Sequence, residues 1–161
     1  MNGRWLRVTP AELTRATSDP GWAFELANAA GKDEEWRRSG TDKAWHAFDF
    51  LLNRRGFSVP IVYGSTLLVD LPDGLDIDWG YGSPLYLEPE DVATAASELA
   101  TLTEDDLTRG VDQAELDRAD IYPAVWDRPG ELGWVSSYLP RALEFFTAAA
   151  KAGNGVICWR D

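Results

Sequence analysis

One cysteine, one histidine and one methionine among 161 residues leave little of the chemistry around which small proteins are often built. A lone Cys158 forbids an intrachain disulfide, and its place between Ile157 and Trp159 reads as a small buried hydrophobe in a strand. With His46 the sole imidazole, a multi-histidine metal site is excluded. The aspartates Asp70, Asp73, Asp76 and Asp78 do not replace it, because a calcium loop needs oxygen ligands at alternate positions and a closing glutamate that this spacing lacks. Gly80 and Gly82 do not form the longer glycine pattern that seats a dinucleotide or phosphate at a helix start, so no metal or cofactor is expected. No run approaches the roughly 18 apolar residues of a membrane span, and the first residues, Met1 to Arg7, lack a signal peptide's apolar stretch. The expectation is a cytoplasmic protein. Repeats and linkers are also missing, which makes residues 1–161 one domain.

Basic residues are scarce where acidic ones are dense. Residues 70–120 hold 15 Asp or Glu against only Arg109 and Arg118, whereas residues 1–60 hold 9 basic and 8 acidic side chains; the whole chain carries −12. Such a stretch repels phosphate backbones and anionic bilayers, which argues against nucleic-acid and membrane partners and leaves a basic protein as a partner it could attract. The same pattern also suits solvated helix faces.

What is present is an ordinary globular composition, 45% hydrophobic and 26% charged, in a 17.9 kDa chain long enough to bury a core. Trp5 to Val8 alternates as a strand, and Thr9-Pro10-Ala11-Glu12 has the form of a capping box opening a helix. Asp19-Pro20 opens a second helix that Gly31 ends, and residues 31–41 read as a loop. Asp42 is positioned to cap a helix whose apolar stripe is Trp45, Phe48, Leu51 and Leu52, with Gly56 after it. Val59 to Tyr63 reads equally as a short extended piece or as a loop packed on the core. Leu85 to Leu87 predicts a strand, Glu88 to Leu102 a helix, and Thr103 and Asp112 the starts of two shorter ones. Pro140 predicts a kink, or two helices meeting, inside 131–151, and Gly155 to Trp159 a closing strand paired with the first. The fold class is α+β: several helices on a small, mainly antiparallel sheet that includes both terminal strands.

Three segments stand out together: Asp42-Lys43-Ala44-Trp45-His46-Ala47-Phe48 with Leu51-Leu52; Gly80-Tyr81-Gly82-Ser83-Pro84-Leu85-Tyr86-Leu87-Glu88-Pro89-Glu90-Asp91-Val92; and Ile121-Tyr122-Pro123-Ala124-Val125-Trp126-Asp127. In that order and spacing the chain resembles the YfbM-like family of bacterial proteins, domain of unknown function 1877, over nearly its whole length. The resemblance implies a small cytoplasmic α+β domain and brings no catalytic residues with it. The family's first motif often has a second histidine where this chain has Asp49, which weakens any mechanism needing paired imidazoles.

Candidate residues divide between two functions. An interaction module of the immunity-protein kind would present the acidic stretch, Asp76 and Asp78 included, with Trp79, Tyr81 and Tyr86 at its border and Trp126 in a proline-flanked loop. A small-ligand binder or hydrolase-type enzyme would gather His46, Asp42, Asp49, Trp79 and Tyr81 into a pocket, Asp42 and Asp49 lying four before and three after His46 on one helix. A nucleophile is missing from that set, since Ser83 is followed directly by proline and makes no nucleophile elbow. The first reading is favoured, without catalytic residues. A homodimer through the aromatic patch is a third possibility.

Overall fold

Apolar side chains on both faces of the two terminal strands decide the architecture. The computed structural model describes residues 1–29, 36–69 and 78–161. Strand β1 (Gly3–Val8) pairs antiparallel with the last strand, β5 (Gly155–Arg160), placing Trp5 opposite Cys158 and Leu6 opposite Ile157. Trp5, Val156 and Cys158 face one hydrophobic cluster, and Leu6, Val8 and Ile157 face another. A strand buried on both sides needs cover on both sides, and the helices supply it.

The larger cluster is covered by α3 (Trp45–Arg54), α4 (Pro89–Leu99), α5 (Glu104–Thr108), α6 (Gln113–Arg118), α7 (Glu131–Ser136) and α8 (Leu139–Lys151). Their stripes carry Phe48, Leu51, Val92, Leu99, Leu107, Leu116, Val135 and Phe146, all fully buried. At roughly 1.5–3 kcal/mol for each large side chain removed from water, this face dominates stability. The smaller cluster is covered by α1 (Pro10–Ser18) and α2 (Pro20–Ala29) through Leu13, Ala16, Ala23 and Ala27. The caps anticipated for these two helices form: Thr9 and Glu12 exchange the reciprocal bonds of a capping box, and Asp19 Oδ1 accepts from the Trp22 N–H at 3.0 Å.

The sheet runs β2-β1-β5-β4-β3, antiparallel throughout, with β2 (Arg38–Asp42), β3 (Thr66–Leu67) and β4 (Leu85–Leu87) added to the terminal pair. For residues 38–41, strand β2 corrects the expectation of a loop over 31–41, of which 31–35 lie outside the described residues. Its sequence, Arg-Ser-Gly-Thr-Asp, has only Thr41 as a good strand former, and it is held by backbone pairing to β1. Gly40 makes that pairing possible, because a Cβ there would lie 2.1 Å from the Gly3 carbonyl oxygen. Asp42 is likewise corrected. It ends β2 with φ +43° and accepts from Tyr138 Oη at 3.1 Å, so α3 starts after Ala44 with no side-chain cap.

Residues 59–63 form a turn packed on the core, and the Ile61 carbonyl accepts from Trp5 Nε1 at 2.6 Å. Pro140 falls in the first turn of α8, where its missing N–H costs nothing, so α7 and α8 are two helices meeting there. Gly31, Asp70, Asp73 and Asp76 lie outside the described residues. No helix among the described residues is long and apolar enough to cross a membrane.

Candidate functional site

The alternation of β5 sends its last two side chains to opposite faces. Trp159 goes to the smaller cluster, where Trp79 meets it edge-on at 5.8 Å and Phe24 at 5.5 Å. Arg160 goes to the other face. Its guanidinium carbon lies 5.4 Å from the Trp45 ring centre and 4.9 Å from that of Tyr63, in the corner made by these two perpendicular rings. Cation–π attraction of this kind contributes about 0.5–2 kcal/mol per ring, more as water is excluded. One Nη donates to the Tyr81 carbonyl at 3.1 Å, and the Tyr81 N–H donates back to the Arg160 carbonyl at 2.8 Å. Gly80 permits this approach: its φ is +89° and a Cβ would stand 2.3 Å from the Arg160 carbonyl oxygen. Asp78 Oδ1 accepts from the Gly80 N–H at 2.8 Å and fixes the turn.

His46 and Asp49 sit on α3 beside this corner, both half-buried. The His46 ring stacks on Trp45 at 4.9 Å, and its Nδ1 accepts from the Tyr122 backbone N–H at 3.1 Å. That bond fixes the neutral tautomer with the proton on Nε2, leaving a donor, not a base, for anything that binds. Burial holds the imidazole pKa below 6.5, Asp120 opposing and Arg160 reinforcing the shift. Burial lifts the Asp49 carboxyl from 3.8 to about 6, against the hydrogen bond from Asn53 Nδ2 at 2.8 Å. Burial also raises the Tyr63 phenol, with the Asp49 charge adding to it and Arg160 opposing. Two aspartates with left-handed backbone, Asp42 at +43° and Asp120 at +52°, flank the cluster just before Trp45 and Tyr122. They are the positive-φ residues other than glycine among the described residues, and such strain concentrates at working sites.

The structure therefore joins His46, Asp49 and the Tyr81 segment, and adds Tyr63, Tyr122 and Arg160, which sequence reasoning left out. The signal was available for Arg160: in the alternation of β5 it shares the face of Val156 and Cys158. Other expected members fall elsewhere. Trp79 is buried on the opposite face, and Trp126 is buried with its Nε1 bonded to the Ile121 carbonyl at 2.6 Å, so neither ring can meet a partner. Tyr86 is half-buried beside the smaller cluster and lines a separate depression of about 530 Å³ between α1 and α4. Tyr81 alone of these rings is exposed, at 55%. The Asp42 carboxylate turns to Tyr138 and Arg4, away from His46.

Many carboxylates of the acidic stretch have local employment. Asp106, Asp112 and Glu115 close capping boxes, Glu98 accepts from the Ser58 N–H at 2.8 Å and from its hydroxyl, and Asp91 accepts from Ser65 Oγ at 3.1 Å. No group of three or more His, Cys, Asp or Glu side chains among the described residues is placed to hold a metal ion.

No curated protein matches the chain significantly. Among solved structures it is similar to YfbM from Escherichia coli, a protein of unknown function, with a TM-score of 0.66 and 17% identity over 99% of each chain; at that identity the likeness speaks for the fold alone. The family model for DUF1877, a domain of unknown function, matches residues 1–159, and the chain belongs to that family.

Proposed function

We propose that this domain is a small-ligand-binding protein whose ligand rests in the corner formed by Trp45, Tyr63 and Arg160. The observation that carries this reading is the Arg160 guanidinium, set against the Trp45 and Tyr63 rings and tied to the Tyr81 turn, with the His46 Nε2–H donor alongside. Aromatic walls around a few convergent polar groups are the usual composition of a ligand site. A planar aromatic carboxylate suits it, the carboxylate on the cation and the ring against the half-buried Tyr63 phenol. Binding is favoured over catalysis because the His46 lone pair is already committed to Tyr122.

The test is titration of the isotope-labelled full chain with benzoate and benzamide at neutral pH. Benzoate is expected to move the His46 ring, Tyr81 amide and Arg160 Nε signals, benzamide to do so more weakly, and Arg160→Met to abolish the response. Shifts that avoid these three residues, or that survive Arg160→Met, would sink the proposal.

A second reading keeps the basic protein partner. It is supported by Glu88, Glu90, Glu104, Asp105, Asp117 and Asp120, exposed carboxylates with no ion-pair partner among the described residues. Such a partner would be captured at low salt, released at high salt and lost on reversing Glu104 and Asp105 to lysine; capture indifferent to both changes would count against it.

A further inference from the structure

A chain of −12 net charge nevertheless gathers three arginines at one cavity. Between the edge strand β2 and helix α8 lies a cavity of about 290 Å³ whose lining includes Arg7, Trp36, Arg38, Ser39, Arg141 and Glu144. Arg7 is buried and fixed on three sides: Nε donates to Asn154 Oδ1 at 3.2 Å, one Nη donates to the Ala148 carbonyl at 3.1 Å, and the guanidinium lies 4.8 Å from the Trp36 ring centre. Arg141 is exposed on α8 and anchored through Nε to Ser39 Oγ at 3.1 Å, an arrangement that leaves both its Nη groups uncommitted. Arg38 has Nε and one Nη buried without a hydrogen-bond partner. Neither Arg7, Arg38 nor Arg141 has a carboxylate within ion-pair distance among the described residues, while the adjacent Arg37 is paired with Glu12. Burial and a like charge nearby disfavour the cationic form of two of them, Arg37 acting on Arg7 and Arg4 on Arg38.

Buried or half-buried guanidinium groups are costly when nothing of opposite sign compensates them. Trp36, 58% exposed, walls the cavity beside them with its ring against the Arg7 and Arg37 guanidinium groups. Glu144 is the one carboxylate among the described residues that line the cavity, against three arginines.

We propose that this cavity is an oxyanion site that takes the phosphoryl group of a small phosphorylated molecule, with Arg141 and Arg7 as its ligands and Arg38 supplying background charge. A phosphoryl dianion suits it better than a carboxylate, since more than one cation faces it and a guanidinium fork presents parallel N–H donors to the oxygens of one group. The site is too small to track a nucleic-acid backbone.

The experiment is calorimetric titration of the full chain with inorganic phosphate and phenyl phosphate at pH 7.5 and low salt, acetate serving as the monoanion control. Saturable binding of both phosphates is expected in the millimolar range or tighter, with acetate at least about ten-fold weaker. Arg141→Gln, an exposed change that leaves the core untouched, is expected to weaken phosphate about ten-fold or more, and Glu144→Gln to tighten it. Arg128→Gln, on a different surface, is expected to leave it unchanged. Arg38→Met reads the site in a second way: the unliganded protein should melt no lower than wild type while phosphate affinity falls, whereas a purely structural arginine would lower the melting temperature. Absence of saturable phosphate binding, equal affinity of Arg141→Gln and wild type, or equal affinity for acetate would each overturn the proposal. Arg160→Met leaves phosphate binding intact, which separates this site from the Trp45–Tyr63 corner.

Discussion

Replacing Asp49 by asparagine should stabilise the protein at neutral pH and do nothing at acid pH. The wild-type carboxyl titrates at about 6 in the folded chain against 3.8 for a free aspartate. The folded state thus holds a proton more tightly than the unfolded chain does, so stability falls as pH rises from about 4 to about 6 and the full penalty stands above that window. At 1.36 kcal/mol per unit the shift corresponds to a ceiling of about 3 kcal/mol. Solvent still reaches this half-buried group, so about half of that, about 1.5 kcal/mol, is the expected gain. Asparagine keeps the acceptor for Asn53 Nδ2 and removes the charge that burial opposes. For a chain of this length the gain raises the melting temperature by about 3–6 °C. Urea melts of both proteins at pH 7.5 and 4.0 measure it, the difference between them cancelling every other titrating group. No gain at pH 7.5, or the same gain at both pH values, would refute the reasoning.

His46 should behave in the opposite sense: its pKa lies below 6.5, so its contribution is intact above 6.5 and is lost as pH falls below it, and nitrogen-detected NMR at pH 7.5 should show protonated Nε2 and bare Nδ1. Trp126→Phe strands the buried Ile121 carbonyl and should cost about 1–3 kcal/mol in denaturant melts, with the Tyr122 amide signal shifting as its loop loosens. Gly40→Ala forces a methyl into the Gly3 carbonyl and should cost about 1–3 kcal/mol or more, with loss of the exchange protection that pairs β2 to β1. The Cys158 thiol, its pKa driven far upward by complete burial, should ignore a disulfide reagent in the native protein and react on unfolding.

The elements that announced themselves were those whose side chains do the work. The capping box at Thr9 and the helix starts at Thr103 and Asp112 are local signals, needing only residues a few positions apart, and all three form, the latter two as capping boxes as well. The stripe of α3 and the apolar run of β5 reflect burial that any packing of this chain would demand. Strand β2 escaped because its stability comes from backbone bonds to β1 and a steric vacancy at Gly40, and neither leaves a mark in propensity or periodicity. Asp42 misled for a related reason. An aspartate three before a hydrophobic stripe is a sound cap signal, yet here a tertiary partner, Tyr138, lies 96 positions along the chain and claims the carboxylate first.

Charge was the least legible property, because a sequence shows it by stretch and a fold distributes it by face. The acidic run over 70–120 looks like a surface when summed, but the chain spends many of those carboxylates on helix starts and on bonds to Ser58, Ser65 and Arg54. The arginines do the reverse. Arg7, Arg38 and Arg141 are separated by as many as 134 positions and look unremarkable in a sequence where 1–60 is nearly neutral, yet antiparallel pairing of β2 with β1 and the packing of α8 bring them to one cavity. Arg160 reaches the Trp45 corner in the same way, through the parity of a strand already committed to the core. Arg7, Arg38 and Arg160 are thus held by strands of the sheet and Arg141 is tied to β2 through Ser39, while most of the acids sit on helices and turns. An anionic ligand that meets this molecule encounters preorganised guanidinium groups in place of mobile side chains, and that is the physical ground for expecting binding to be decided at the sheet and not along the acidic helices.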